Sequence, residues 1–133
     1  MLLSSQTRVL IADDHEILLE RVLSVLGSFQ VIGKVSNGRD LVDEALRLRP
    51  DVIVSDITMP ILNGIEAAHQ LREAGSASRF VFLTVHDQPA FLRACFAEGA
   101  LGYVTKSRLG MDLIPAINEA LSGRPFISPS IPR

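Results

Sequence analysis

The chain has 133 residues, 47% hydrophobic and 21% charged, with a formal net charge of -2. That is material for one domain with a single core, and 13 basic against 15 acidic residues without a basic block argue against nucleic-acid binding by this segment itself. The longest apolar runs are strand-length, residues 1–8 lack the charged and apolar regions of a secretion signal, and the single cysteine, Cys95, excludes an internal disulfide and fits a reducing cytoplasm.

Arg8-Val9-Leu10-Ile11-Ala12 is a short apolar run ending on Asp13-Asp14, which reads as a strand delivering carboxylates to its exit. Asp14 is placed to cap the next helix, where Ile17, Leu18, Val22 and Leu26 fall at helical spacing before Gly27. Phe29 to Val35 reads as a strand closed by Ser36-Asn37-Gly38. Asp40 to Leu48 is helical, with Leu41, Ala45 and Leu48 on one face and Arg49-Pro50 ending it.

Asp51-Val52-Ile53-Val54-Ser55-Asp56 is rich in β-branched residues and too apolar to alternate, the pattern of a strand buried on both faces. It ends on Asp56 and meets Pro60, which cannot continue a ladder, and then the turn pair Asn63-Gly64. Gly64 to Ala74 is a helix with Ile65, Ala68 and Leu71 or Arg72 inward, stopped by Gly75.

Arg79 to Thr84 is the next strand and ends on a hydroxyl. Asp87-Gln88-Pro89 opens a helix that runs to Glu98-Gly99 with proline in its first turn. Leu101 to Thr105 is a short strand that ends on Lys106. The last helix carries Leu113, Ile114, Ile117 and Leu121 inward, while Ala116 and Ala120 offer a shallow face for a partner. Proline inside a helix costs about 3 kcal/mol, so Pro115 places the start of this helix late, at Met111 or Asp112. Gly123 ends it, and residues 124–133 read as a proline-rich tail.

Strand and helix alternate five times, the pattern of a doubly wound five-stranded parallel α/β sheet with helices on both faces. Ligands of such sheets collect beyond the carboxyl ends of the strands. Four of the five strands end there in Asp13 and Asp14, Asp56, Thr84 and Lys106. Any one of these alone is an ordinary turn or capping residue. Together they describe a site. Three crowded carboxylates repel unless a cation joins them, and an all-oxygen cluster with room for water suits Mg2+. A hydroxyl and an ammonium opposite suit an anion. The set describes a phosphoryl group held by metal, Lys106 and Thr84 while a carboxylate attacks it.

Nearly the whole chain resembles a response-regulator receiver domain of two-component signalling. The motifs are Asp13-Asp14, Asp56-x-x-Met59-Pro60 with Gly64, Leu83-Thr84, and Gly102-Tyr103-Val104-Thr105-Lys106. Ala12-Asp13-Asp14-His15, Thr84-Val85-His86-Asp87 and Gly123-Arg124-Pro125-Phe126-Ile127-Ser128-Pro129 resemble the subgroup, NarL/FixJ-like, whose receivers precede a LuxR-type helix-turn-helix. The resemblance implies a flavodoxin-like strand order of 2-1-3-4-5, a receiver over residues 1–123, and in residues 124–133 the start of a linker to an effector domain.

It also implies that Asp56 takes phosphate from a sensor histidine kinase. Asp14 would ligate Mg2+ directly, Asp13 would assist, and Asp56 and the Thr58 backbone carbonyl would complete the protein ligands. Lys106 and Thr84 would bind phosphoryl oxygens. Tyr103 would turn inward when Thr84 shifts, with β-branched Val85 beside its path. The output would be a change of shape, with a phosphorylation-dependent homodimer and with DNA reached only through the effector domain. As a signalling domain and not an enzyme, the chain would promote only its own aspartyl phosphorylation and dephosphorylation.

Two alternatives differ in class. A haloacid-dehalogenase-like phosphatase or phosphotransferase also has a nucleophilic Asp after an apolar strand, but it needs a second Asp two residues later, where this chain has Thr58. A phosphorylation-independent pseudo-receiver would lack an acidic residue or the lysine. No Gly-x-Gly-x-x-Gly follows a strand, which disfavours a dinucleotide enzyme. Among the remaining polar residues, His15 and His69 read as solvent-facing, and His86 as a loop residue beside the site that is either idle or tunes hydrolysis. Cys95 reads as a packing residue.

Overall fold

The computed structural model describes residues 6–131. In chain order the elements are β1 (Arg8–Ala12), α1 (Glu16–Val25), β2 (Gln30–Val35), α2 (Gly38–Leu48), β3 (Val52–Ser55), α3 (Gly64–Glu73), β4 (Arg79–Thr84), α4 (Pro89–Ala97), β5 (Gly102–Thr105), a 3-10 turn (Lys106–Arg108), α5 (Leu109–Leu121) and β6 (Phe126–Ile127). The strands form one parallel sheet in the order β2-β1-β3-β4-β5-β6.

Alternate residues of each strand face opposite layers. On one side Leu10, Ile53, Phe82 and Tyr103 meet Leu41 and Ala45 of α2, Ala67 and Leu71 of α3, and Leu92 and Cys95 of α4. On the other, Val9, Ile11, Val54, Val81, Leu83 and Val104 meet Val22 of α1 and Leu113, Ala116 and Ile117 of α5. β3 is buried along its whole length, as its unbroken apolar run requires. Cys95 packs in the first layer, where burial pushes its thiol up to about 12 and keeps it an inert apolar group.

The structure corrects the sequence expectations in five places. The sheet has six strands, not five: Phe126 and Ile127, expected in a tail outside the fold, pair with Gly102 and Tyr103 of β5. β5 would otherwise be a bare edge, and the returning chain covers it. α5 begins at Leu109, so Pro115 lies inside it. The amide lost at Pro115 would have met the Met111 carbonyl, and both residues are exposed, so that carbonyl is not stranded in the core. Ala116 and Ala120 are wholly buried and offer no partner face. Ile17 is 79% exposed, which leaves Val22 as the buried contact within α1. Asp14 does not cap α1: His15 is the N-cap, without a side-chain cap bond. Asn63, by contrast, forms a reciprocal capping box with Glu66 that fixes the start of α3.

Candidate functional site

Because β1, β3, β4 and β5 are parallel neighbours, their carboxyl ends bring Asp13, Asp14, Asp56, Thr84 and Lys106 to one edge of the sheet. Asp56 leaves β3 with its backbone amide bonded to the Ala12 carbonyl of β1 at 2.9 Å. Its Oδ1 accepts the Ile57 amide at 2.7 Å, which fixes the plane of the carboxylate. Lys106 Nζ stands 2.9 Å from Asp56 Oδ2 and 3.1 Å from Asp13 Oδ2, bridging the ends of β3 and β1. Both carboxylate side chains are only 4% exposed. Burial by itself would lower the lysine's proton affinity, but the hydrogen bond and charge of Asp56, with those of Asp13, hold its pKa above the usual ammonium value.

Asp14 stays open to solvent beside this pair. His15 Nδ1 lies 3.0 Å from Asp13 Oδ1 and 3.2 Å from Asp14 Oδ1, so the histidine is solvent-facing as expected but leans back on both carboxylates. Asp13, Asp14, His15 and Asp56 each offer a donor atom within 4.8 Å of the others. The donor set fits a hard divalent cation. It is dominated by carboxylate oxygens, and one ammonium against three carboxylates leaves a surplus of negative charge.

Thr84 is fully buried, and its Oγ1 accepts the His86 amide at 3.1 Å. The Tyr103 hydroxyl donates to the His86 carbonyl at 2.9 Å. Thr84 and Tyr103 therefore grip the two backbone groups of one loop residue. The Tyr103 ring is wholly buried, and burial first, then nearby acidic groups, raises its hydroxyl pKa. Val85 is 70% exposed. The sequence leaves the His86 side chain between two roles. Its Nε2 pairs with Thr58 Oγ1 at 2.9 Å and its ring stacks on Phe91 with centroids 4.1 Å apart, joining the loops after β3 and β4. His69 is half-exposed on α3 and binds Glu98, the C-cap of α4, at 2.8 Å.

Two features of the site have no sequence signal that the motifs exposed. Ile61, in the loop after β3, has a φ of 73° and is 81% exposed. A β-branched residue in the left-handed region is strained. The second is Ser128, which reaches the end of β5 from a segment that carries no periodicity of its own.

These features define a class of protein: a doubly wound α/β domain with an acidic site, bridged by a lysine, at the carboxyl edge of its sheet. The response regulator receiver domain family matches residues 9–118. The chain belongs to that family and is a receiver domain of two-component signalling. It is 32% identical over 127 residues to the response regulator GacA of Pseudomonas viridiflava, which covers 93% of this chain and 59% of the relative. The chain thus spans about three-fifths of the length of that curated relative. Among solved structures it resembles a two-component response regulator of the LuxR family from Aurantimonas sp. SI85-9A1, with a TM-score of 0.88 and 33% identity, covering 93% of this chain and 91% of that one. It also resembles the receiver domain of the putative response regulator NarL from Mycobacterium tuberculosis, with a TM-score of 0.82 and 29% identity over 89% of this chain and 98% of that one. Among the described residues no helix is long and apolar enough to cross a membrane.

Proposed function

We propose that Asp56 is the phosphoacceptor of a phosphorylation-dependent switch. The observation that carries this reading is the Lys106 ammonium held between Asp56 and Asp13 at the strand exits, with Asp14 alongside. A carboxylate oxygen of Asp56 forms a new O–P bond while the donor's N–P bond, in a phosphohistidine, breaks and its electron pair leaves with the imidazole. With a small acyl phosphate the broken bond is O–P. The product is an acyl phosphate on Asp56.

Asp14, Asp13, Asp56 and the Thr58 carbonyl would hold Mg2+, which when bound supplies the positive charge an anion needs to approach three carboxylates. Lys106 already touches the attacking carboxylate, so its ammonium stays within reach of phosphoryl oxygens as charge moves to them. The Thr84 hydroxyl accepts from His86 and keeps its own hydrogen to donate to a phosphoryl oxygen. Drawing Thr84 toward the site loosens its hold on His86, whose carbonyl Tyr103 also holds. That shift favours one arrangement of the face formed by α4, β5 and α5.

The reading requires a sensor histidine kinase as phosphoryl donor, and it is compatible with a homodimer formed on phosphorylation and with DNA reached through a domain outside this chain, all in the cytoplasm. The domain turns over no external substrate, because Thr58 stands where a phosphatase of similar architecture has its acid/base carboxylate. Treatment with acetyl phosphate and Mg2+ should add one phosphoryl group by intact mass, removable with hydroxylamine. Asp56→Asn and excess chelator should each abolish it. Full labelling of Asp56→Asn would overturn the assignment.

A further inference from the structure

Lys106 follows β5 without a spacer, so the end of that strand decides where its side chain starts. β6 supports β5 for only two residue pairs. Its backbone rungs run from the Phe126 amide to the Leu101 carbonyl at 2.8 Å and from the Ser128 amide to the Tyr103 carbonyl at 2.9 Å. The next rung would need an acceptor for the Thr105 amide. Ser128 Oγ takes that place at 3.1 Å, and Pro129 then ends the ladder. The single hydroxyl hydrogen of Ser128 goes to Asp112 Oδ2 at 2.7 Å, which leaves a lone pair facing the Thr105 amide. Arg108 holds the same carboxylate through Nε at 2.6 Å and Nη2 at 3.2 Å. Ser128 is fully buried and Asp112 is 4% exposed. The Thr105 hydroxyl meets Ser130 Oγ at 3.1 Å.

We propose that Ser128, oriented by Asp112, is a positioning residue for Lys106, an inference that rests on Lys106 holding the transferring phosphoryl group. Ser128 lies ten residues beyond the stretch that matches the receiver family. Sealing a sheet edge needs no carboxylate, and a buried carboxylate is costly unless paired. What the polar chain adds is direction. It pins the Val104–Thr105 peptide through its N–H on the β6 side while β4 pairs with Thr105 on the other, so Thr105, from which Lys106 continues, is held from both sides. Without the hydroxyl, the Thr105 amide and Asp112 Oδ2 each lose a partner, and they regain one from water only by opening the strand end. The lysine's two contacts then lose their fixed origin.

The test is a double-mutant cycle on the full chain. It reads the initial rate of Asp56 labelling by acetyl phosphate at saturating Mg2+ in wild type, Ser128→Ala, Lys106→Ala and the double variant. Ser128→Ala should slow labelling by about three- to tenfold, the worth of one buried hydrogen bond. In the Lys106→Ala background its effect should fall below about twofold. A second readout needs no turnover. The chain has two lysines, Lys34 and Lys106, so lysine labelled at Cε gives two signals, and only that of Lys106 should move in Ser128→Ala. Ser128→Cys, with a weaker donor of similar size, should shift it the same way and serves if the alanine variant does not fold. Equal slowing in both lysine backgrounds, no slowing, or an unmoved Lys106 signal overturns the proposal. Unlabelled wild type overturns the phosphoacceptor reading beneath it, a failure distinct from that of Ser128.

Discussion

Gly64 presses its α-carbon against the backbone carbonyl of Asp56. A Cβ added at Gly64 would collide with that oxygen and stand 3.1 Å from the Phe82 ring, while the Gly64 amide binds the Ile57 carbonyl at 2.7 Å. The glycine thereby lets α3 begin directly behind the phosphoacceptor candidate, and the loop carrying Thr58 is folded over as a consequence.

Gly64→Ala should therefore damage stability and site together. Overpacking of this kind costs about 1–3 kcal/mol. Urea denaturation should show that loss, and acetyl phosphate labelling should fall with it. Wild-type stability in this variant would mean that the contact relaxes without strain.

Thr84→Ala should separate accepting the phosphoryl group from reporting it. The variant keeps Asp56 and Lys106, so intact mass should still show labelling, while amide exchange across α4, β5 and α5 barely responds. A typical coupling of about 1–3 kcal/mol is what the wild type stands to lose. Val85→Ala should leave the Tyr103 signals unchanged, because that side chain faces water. A full wild-type response in Thr84→Ala would route the switch through other residues.

Lys106→Ala should raise Mg2+ affinity while slowing phosphoryl acceptance. The ammonium offsets part of the charge of two of the carboxylates that would hold the cation, so removing it strengthens their field. Calorimetric Mg2+ titration checks the first effect and mass spectrometry the second. Weaker Mg2+ binding in the variant would contradict the electrostatic argument.

The same lysine sets an expectation for pH. Its folded pKa is raised above the ordinary 10.5. The stability it contributes is therefore complete below that ordinary value and is lost as pH rises through the folded one. Between pH 7 and about 9 the ammonium should stay charged, so labelling should show no loss from its titration. Two-dimensional NMR of the Lys106 Cε group across alkaline pH should show a midpoint above 10.5, and a midpoint below that value would reverse the sign.

Ile61→Gly should stabilise the chain. Its left-handed backbone costs an L-residue about 1–2 kcal/mol, while glycine's larger unfolded-state entropy returns up to about 1 kcal/mol of that. The residue is exposed, so no core packing is lost. A lower urea midpoint in the variant would show that the isoleucine side chain makes a contact worth more than the strain.

The sequence by itself determined the five βα repeats and the edge where the chemistry gathers. A β-branched run such as Val52-Ile53-Val54, closed by Pro60, reads as a strand covered on both faces, and parallel strands send Asp13, Asp56, Thr84 and Lys106 to the same end. Those inferences use period and punctuation, which are local. Tertiary structure decided what depends on a distant partner. Phe126-Ile127 is too short to carry a period and became a strand because β5 was left with an open edge. Pro115 sits inside α5 because the bond it removes lies on the watered side, which the residue type alone does not reveal. Ile17 and Val22 share an apolar character, yet only Val22 faces the sheet. The bridging of Asp13 and Asp56 by one ammonium, and the serine rung beneath it, follow from strand register, and register is fixed only when all the strands pack at once.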